Sequence, residues 1–359
     1  MLSEPITLFD FIPYFVLIGI AWILSYNKIS NNCKYLILLL FIFASLRYKV
    51  GWDYNSYLML IEGKTSTSDF NRIEWLSRYL MYLARFSFSQ LYFIINAGVG
   101  LFCLNSVCNR FSLLPCFSVY LFLTFSLFYL QSIDIVRNFT AILMIMYCCM
   151  LYFDKRYIYY LLILFLAIGM HSSAIIGLLI PFIIKINWSA RLNIILFILS
   201  FFVGKLIQLS IIAFSDNSLL ASVVYYITNN TEGSGNLYKY ILYLINLVFL
   251  LNWKRLVFVD SNNKYWITFT NIGVCFWTAF SFQYTLSLRF DLFFIVWMII
   301  VIPSLLEIVK PMYRKLLKQC IYIFFTSLFF FNLYILAKAY NNGELYQASF
   351  LPYRIFIFQ

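Results

Sequence analysis

The chain has 359 residues, of which 63% are hydrophobic and only 11% are charged, whereas an average soluble domain has about 25% charged residues. This composition excludes a soluble globular protein, a disordered chain and a small disulfide-stapled domain. It predicts an all-α polytopic membrane protein with about twelve transmembrane helices, at about 20 residues for each span plus a connection. No repeat or Pro-rich linker divides the chain, so we expect a single transmembrane domain over residues 1–359.

The formal net charge is +12. The lysines and arginines lie in short gaps between apolar runs, which is typical of residues that orient a chain in the bilayer. No basic helix is interleaved with stacking aromatics, so a nucleic-acid partner is not expected. The eight cysteines lie in or beside apolar runs, where they predict neither a zinc site nor a disulfide framework.

Splitting the chain at its charges gives twelve predicted spans. In chain order they are residues 11–27, 35–46, 86–109, 111–133, 138–153, two short helices within 157–184, 192–214, 240–253, 265–288, 292–306 and 319–337. We expect the two short helices to meet at His171. A Ser/Asn/Gly-rich loop is predicted over residues 216–236.

A polar stretch, residues 47–85, separates the second and third spans. Over residues 74–88, apolar residues recur at helical spacing with Arg78 and Arg85 between them. This pattern predicts an amphipathic helix in the membrane interface within the first large outer loop. A membrane-spanning helix at this place would reverse the orientation of every later segment.

Orientation follows from the basic residues. With the N-terminus outside, the short inner loops are the richer in lysine and arginine, as the positive-inside rule requires. This topology places several unusual polar residues at the outer ends of spans, namely Arg47, Asp53, Arg137, His171 and Arg289.

The segment from Arg47 to Tyr57 is the densest polar cluster. Gly51 allows a turn or a close backbone approach, and Asp53 can accept a proton or a hydrogen bond from a sugar hydroxyl. Tyr54 and Tyr57, three residues apart, share one helical face and could stack on a sugar ring. The alternative is an ordinary interfacial aromatic belt in which Arg47 extends towards the headgroups.

Arg137 opens an uncharged span, where an arginine must find an anion or water. An isoprenoid pyrophosphate is such an anion, because guanidinium matches its oxygens in a bidentate way. The alternative is an ion pair with Asp134 at helical spacing. Arg289 has the same character, with Asp291 as the alternative partner.

His171 is the single histidine of the chain and lies in an apolar stretch beside Ser172 and Ser173. Histidine takes up a proton near neutral pH and is therefore a candidate base, although it could equally cap a helix. The sequence contains no Gly-rich phosphate loop, catalytic Ser/His/Asp order or metal-ligand spacing. We therefore expect neither a metal nor a cofactor.

The segment from Arg47 to Tyr57 resembles the Arg-x-x-x-Gly-x-Asp-x-x-x-Tyr motif of EpsG-like, Wzy-type polysaccharide polymerases. These are bacterial inner-membrane proteins that build O-antigen, capsule or exopolysaccharide. Further similar pieces follow in order: Glu74 opening a helix, Arg137-Asn-Phe-Thr-Ala141, Met170-His171-Ser172-Ser173-Ala174, Leu288-Arg289-Phe290 and Leu351-Pro352-Tyr353. The ordered set covers most of the chain. Trp52 departs from the family pattern, which has small or hydroxyl residues just before the aspartate.

The resemblance implies a metal-independent, GT-C-like glycosyltransferase facing the periplasmic side of the inner membrane. Its donor would be a growing glycan on undecaprenyl pyrophosphate, and its acceptor a single lipid-linked oligosaccharide repeat. For this reaction we assign Arg137 and Arg289 to the pyrophosphate, with Arg47 as a third cation, Asp53 or His171 as the base, and Tyr54 and Tyr57 to the sugar.

Two other classes of function remain alternatives to polymerisation in lipopolysaccharide or related biosynthesis. One is a flippase or other transporter of lipid-linked oligosaccharides, which would need internal repeats and broken helices in matching halves. The other is a membrane acyltransferase of surface glycans. The sequence does not identify the sugars, the linkage or the oligomeric state, nor whether a chain-length regulator takes part.

Overall fold

The structure of the protein is a computed structural model that describes residues 5–26, 33–213, 236–281, 284–345 and 350–356. The chain divides into two compact units. Unit 1 comprises Met1–Leu178 and Pro311–Gln359, and unit 2 comprises Leu179–Lys310. The predicted loop over residues 216–236 lies outside the described residues, apart from Asn236.

Within these ranges the regular structure is helical. The helices are α1 (Ile12–Tyr26), α2 (Lys34–Leu46), α3 (Tyr54–Ile61), α4 (Thr67–Asn71), α5 (Trp75–Phe86), α6 (Gln90–Phe111), α7 (Pro115–Thr124), α8 (Tyr129–Asp134), α9 (Val136–Phe153), α10 (Tyr157–Met170), α11 (Ile180–Lys185), α12 (Ala190–Ala213), α13 (Asn236–Leu251), α14 (Trp253–Val259), α15 (Asn263–Ala279), α16 (Tyr284–Ile295), α17 (Met298–Leu305) and α18 (Pro311–Asn341). Short 3-10 helices cover Leu8–Phe11 and Ser172–Leu179.

Five segments of the described chain are long and apolar enough to cross a membrane: Leu8–Tyr26, Gln90–Phe111, Val136–Phe153, Ala190–Ile207 and Pro311–Asn341. Two bent helix pairs, α13 with α14 and α16 with α17, bring the number to as many as seven. Shorter apolar helices lie at Lys34–Leu46, Pro115–Thr124, Tyr157–Met170 and Ser172–Lys185. The protein is therefore an all-helical polytopic membrane protein, as its composition predicts.

Helix α9 is the centre of unit 1, packing against both α6 and α10, while α2 packs on α6. Close packing of α6 on α9 requires a small residue, since a Cβ at Gly100 would stand 3.1 Å from Leu143. Small side chains let membrane helices approach closely, and dispersion contacts then hold the helices together. Arg137 lies in the first turn of this packed helix.

Unit 2 is held together by amides between its helices. Asn246 donates to Oδ1 of Asn271 at 2.8 Å, and Asn271 donates to the carbonyl oxygen of Asn193 at 3.0 Å. Asn193 in turn donates to Oγ1 of Thr268 at 3.1 Å. Hydrogen bonds between membrane helices contribute about 1 kcal/mol each, so this chain of amides joins α12, α13 and α15.

The predicted break at His171 is confirmed. The helix α10 ends at Met170, and His171 has an extended backbone with φ −155° and ψ 129°. By contrast, the predicted span over residues 111–133 is interrupted. Its helix α7 ends at Thr124 because Phe125 is extended, with φ −83° and ψ 105°.

The predicted bounds of the two late spans, 265–288 and 292–306, are wrong. Arg289 and Asp291 suggested a connection between spans, but both residues lie inside α16. The connection precedes Arg289 instead, since α15 ends at Ala279.

The amphipathic helix predicted over residues 74–88 is present as α5, with Ser77, Met81 and Ala84 on its buried face. Tyr79 and Phe86 are exposed. Twelve residues of α-helix are about 18 Å long, which is short of the roughly 30 Å hydrocarbon core. Four other short helices of the described chain are apolar, whereas α5 carries Arg78 and Arg85 on a polar face. Its length and its polar face together are typical of a helix that lies in the interface.

The C-terminal residues 350–356 return to the loop that follows α2. The ring of Tyr353 stacks on Phe43 with centroids 3.9 Å apart, and its hydroxyl donates to the Phe43 carbonyl oxygen. Tyr48 donates its backbone N–H to the carbonyl oxygen of Arg354 at 2.9 Å. Two pieces of the sequence motif set, from opposite ends of the chain, are therefore neighbours.

Candidate functional site

The turn at Gly51 fits tightly against the end of α8. Gly51 has φ +105°, and a Cβ there would stand 2.8 Å from the carbonyl oxygen of Ile133. Both the positive φ and the close approach require glycine. Next to it, the backbone N–H of Asp53 donates to Oδ1 of Asp134 at 3.1 Å. The turn is thus fastened to the residues that precede α9.

This contact brings the carboxyl groups of Asp53 and Asp134 close together. Burial, with a smaller contribution from the negative charge of Asp53, raises the pKa of Asp134 to about 7. The backbone N–H groups of Asp53 and Trp52 act in the opposite direction. A carboxyl group with such a pKa changes its protonation state near neutral pH.

Arg137 forms an ion pair with Glu74, the residue that precedes α5. Its Nη1 lies 2.6 Å from Oε2 of Glu74, and both side chains are mostly buried, with 23% and 17% exposed. The other carboxylate oxygen, Oε1, accepts the backbone N–H of Ser172 at 2.9 Å. One carboxylate therefore joins the starts of α5 and α9 to the residue after His171.

The environment lowers the pKa of Glu74. Burial alone would raise it, but hydrogen bonds from the backbone N–H groups of Ser172 and Glu74, together with nearby positive charge, outweigh burial. The positive charge of Arg137 and the proximity of His171 add to the lowering. Glu74 is therefore a carboxylate at neutral pH and holds the guanidinium in place.

His171 belongs to the same cluster. Its Nδ1 lies 2.6 Å from Oγ of Ser173, and that hydroxyl is 3.1 Å from Oδ1 of Asn138. Asn138 follows Arg137 directly on α9. The imidazole is thus oriented by the helix that carries the arginine.

A close helix contact places Glu74 beside this loop. The indole of Trp75 lies against Gly169, where a Cβ would stand 2.6 Å from the ring. Trp75 also packs on Phe165, with ring centroids 5.2 Å apart. Gly169 therefore lets the start of α5 approach the end of α10.

Tyr57 links the two halves of the site. The guanidinium carbon of Arg137 lies 6.0 Å from the centroid of its ring. Burial raises the pKa of Tyr57, the positive charge of Arg137 lowers it, and the negative charge of Asp53 raises it. Glu74, Arg137 and His171 on one side and Asp53 with Asp134 on the other thus form a single polar cluster, the α9 head cluster, within unit 1.

Two residues of the predicted site are buried: Tyr54, predicted to bind sugar, and Arg47, predicted to bind pyrophosphate. Tyr54 stacks on Phe93 with centroids 4.5 Å apart and donates its hydroxyl to Gln90. Arg47 is 2% exposed and donates to the carbonyl oxygens of Ala44 and of Val50. These contacts hold the loop, while Nη2 of Arg47 has no hydrogen-bond partner among the described residues.

Tyr57, the other proposed sugar-binding residue, is 5% exposed and packs against Tyr92 and Phe93. The two tyrosines do share a helical face, as their spacing predicts. That face points into the core of unit 1.

The alternative ion pairs considered for the arginines are not formed. Asp134 binds the backbone of Asp53, while Arg137 pairs with Glu74. In unit 2, Arg289 is exposed but Asp291 is fully buried, and no ion pair joins them among the described residues.

Glu74, Asp134 and Asn138 are the members of the cluster that reasoning from the sequence left without a role. The sequence did carry a signal for two of them. Glu74 is one of the family motif residues and opens a helix, and Asp134 is an acid three residues before Arg137. Within the described ranges, no three side chains of His, Cys, Asp or Glu converge on a common point.

The whole motif set lies inside one family match. The model of the EpsG family matches residues 31–355, a segment that includes the α9 head cluster and Arg289. Searches of curated proteins and of solved structures give no significant match. Since the family model covers most of the 359 residues, the chain belongs to the EpsG family.

Proposed function

We propose that the protein polymerises lipid-linked oligosaccharide repeats into O-antigen or a related surface polysaccharide by glycosyl transfer from undecaprenyl pyrophosphate. Membership of the EpsG family supports a polysaccharide-polymerase-like membrane protein. The observation that carries the proposal is the Arg137–Glu74 pair at the start of an apolar span, with a histidine and two aspartates around it. A buried cation at the start of an apolar helix calls for a functional explanation.

The reaction needs a base and a place for negative charge. The acceptor hydroxyl oxygen forms a bond to the anomeric carbon of the donor sugar, and the bond from that carbon to the phosphate oxygen breaks. The electron pair leaves with undecaprenyl pyrophosphate, and the hydroxyl proton passes to the base. Hydrogen-bond donors fixed where charge develops usually contribute most to catalysis of such steps.

Arg137 is the residue we assign to the leaving pyrophosphate. A guanidinium has five N–H donors in a rigid plane, so contacts with Glu74 and Tyr57 leave donors for phosphate oxygens. Because Glu74 is itself fixed by Ser172, the guanidinium is already oriented before substrate binds. Arg289, exposed on α16, is a second candidate cation.

Asp53 and His171 remain the two candidates for the base. Each lies beside Tyr57 or Glu74 and so within the α9 head cluster. We assign Asp134 to positioning, since its carboxylate accepts the backbone N–H of Asp53. His171 is oriented through Ser173 and Asn138.

We further propose a GT-C-like architecture of about twelve spans, with the N-terminus and the α9 head cluster on the periplasmic side of the inner membrane. The four shorter apolar helices supply additional crossings in this arrangement. Helix α5 then lies in the outer interface, where an amphipathic helix of twelve residues is stable.

A deletion strain of the source bacterium tests this function against the alternatives. For a polymerase, the deletion leaves surface glycans of at most a single repeat, and the wild-type gene restores long chains. A flippase deletion would leave no repeat on the surface at all. An acyltransferase deletion would leave chain length unchanged and remove acyl groups. Either of these last two results would contradict the proposal.

A further inference from the structure

Unit 1 contains a large apolar cavity between α5, α6, α9 and α10. Its volume is about 490 Å³, far more than a buried water needs. Representative wall residues are Leu80 on α5, Val99 and Phe102 on α6, Met144 on α9, and Leu166 on α10. This is the α5–α10 cavity.

The cavity begins one helical turn below Arg137. On α9, Thr140, Met144 and Tyr147 line it, and they follow Arg137 at intervals of three or four residues. Residues so spaced lie on one face of a helix. At 1.5 Å per residue, Tyr147 is about 15 Å further along the helix than Arg137. The cavity therefore runs along the face of α9 that carries Arg137.

The end of the cavity near Arg137 is polar. Asn96 and Thr140 line it there, and both also line a second cavity of about 20 Å³ beside Arg47. Asn96 is 2% exposed, and its Oδ1 has no hydrogen-bond partner among the described residues. The cavity thus has Asn96 and Thr140 at the end towards Arg137, and its other walls are mainly apolar.

Helix α5 takes part in both sites. Glu74, directly before α5, fixes Arg137, while Leu76 and Leu80 on the same helix form part of the cavity wall. Anything that fills the cavity contacts the helix that orients the guanidinium. A ligand with a head and a tail would engage both features together.

We propose that the α5–α10 cavity binds the isoprenoid chain of the diphosphate-linked substrate, with the diphosphate at Arg137. This inference rests on the proposed function, since it places that substrate. One slot aligned with one cation fits an amphiphile that has a single apolar chain for each diphosphate. A glycerophospholipid carries two chains on each phosphate and fits this arrangement less well.

Photolabelling of the full-length protein in lipid nanodiscs tests the site. The probe is undecaprenyl diphosphate with a diazirine at the tail end, and the comparison probe is phosphatidylglycerol with the same group at an acyl end. Labelled peptides are located by mass spectrometry. We expect the isoprenoid probe to label the four cavity helices, and the phosphatidylglycerol probe to label outward-facing positions.

A filled cavity should exclude the probe. Ile163 lines the cavity on α10, whereas its neighbour Leu162 is 53% exposed. Ile163→Trp should reduce labelling about ten-fold or more, because each buried methylene of the chain contributes to affinity. Leu162→Trp is the matched control and should label like wild type. Both variants are compared only as monodisperse protein.

Competition on the unmodified protein gives a second measurement that needs no variant. Undecaprenyl diphosphate should displace the probe at concentrations about ten-fold or more below those of geranyl diphosphate, because only the long chain fills the slot. Equal competition, equal labelling of the walls by phosphatidylglycerol, or unchanged labelling of Ile163→Trp would each overturn the proposal.

Labelling requires no turnover, so the two proposals can fail separately. Wall labelling together with normal glycan length in the deletion strain would contradict polymerase function and leave the tail site standing. Loss of long chains in that strain together with labelling outside the cavity would contradict the tail site alone.

Discussion

Nη1 of Arg137 lies 2.6 Å from Oε2 of Glu74, a residue 63 positions earlier in the chain, and the same carboxylate accepts the N–H of Ser172. Three separate segments therefore meet at one ion pair. If the pair orients the guanidinium for a diphosphate, its loss should impair both stability and activity.

We expect Glu74→Gln to lower the free energy of unfolding by about 1–3 kcal/mol, because Arg137 loses its counter-charge in a mostly buried place. Denaturant unfolding in detergent measures this. The pKa of Glu74 is lowered on folding, so its charge stabilises the protein above the ordinary value of 4.5. That contribution disappears as the pH falls through the folded pKa, where wild type and variant should converge.

Glu62→Gln is the matched control for this change. Glu62 pairs with Lys64 at the surface, with the two side chains 36% and 69% exposed. Such pairs contribute about 0–1 kcal/mol. A loss of stability in Glu74→Gln no larger than in this control would show that the buried pair is not important.

Gly51→Ala should disrupt the turn that holds Asp53. The added Cβ would meet the carbonyl oxygen of Ile133 at 2.8 Å, and φ is +105°. We expect a loss of about 1–3 kcal/mol in stability, with reduced polymerisation, because such strain is costly for any residue with a Cβ. Gly19→Ala on α1 meets nothing within 4 Å and is the control. Equal behaviour of the two variants would contradict the assignment of the turn.

Asp134 predicts a distinct pH dependence. Its pKa rises from 3.8 to about 7 on folding, so between these values the folded state binds more protons than the unfolded state. Stability therefore falls as the pH rises from about 4 to 7. Asp134→Asn keeps an acceptor for the Asp53 N–H and removes this dependence.

The measurement is the difference in melting temperature between wild type and Asp134→Asn across that range. As the pH rises from 4 to 8, the melting temperature of wild type should fall relative to that of Asp134→Asn. A constant difference would show that Asp134 does not titrate in the folded protein.

The two candidate bases are separated by Asp53→Asn and His171→Gln. Removing the base should reduce kcat by about 10²–10⁴ with little change in KM, since general base catalysis contributes that much. The variant at the residue that is not the base should lose less kcat and keep the pH optimum of the wild-type protein. If both variants retain wild-type kcat, neither residue is the base.

Some of this site could be predicted from local pattern alone. The break at His171 follows from a run of 28 uncharged residues, too long for one span and interrupted by Gly169 and two serines. The amphipathic helix α5 follows from the spacing of its apolar residues. In both cases, the deciding interactions are between residues close in the chain.

The partner of Arg137 could not be predicted in this way. Asp134 is the nearest acid in the sequence. Its carboxylate instead accepts the backbone N–H of Asp53, which the turn at Gly51 brings close. Glu74 comes from a separate segment, next to Trp75, which packs against Gly169 at the end of α10. A tertiary contact of this kind leaves no periodic signal.

The aromatic residues show a different limit. Tyr54 and Tyr57 have the spacing of one helical face, which is equally consistent with a sugar platform, an interfacial belt and a core. Phe93, on α6, stacks on Tyr54, and Gln90 on the same helix accepts the Tyr54 hydroxyl, so the structure places Tyr54 in the core. The late spans were misplaced for a similar reason, because Asp291 is buried among neighbouring helices rather than exposed in a loop.

The most direct test of the central claim is polymerisation by purified protein in proteoliposomes supplied with the lipid-linked repeat. The wild-type protein should extend the glycan and release one undecaprenyl diphosphate for each bond formed. Arg137→Ala should lose this activity, while Arg72→Ala, at a side chain that is 82% exposed, should retain it. Extension by Arg137→Ala at the wild-type rate, or none by the wild type, would contradict the account.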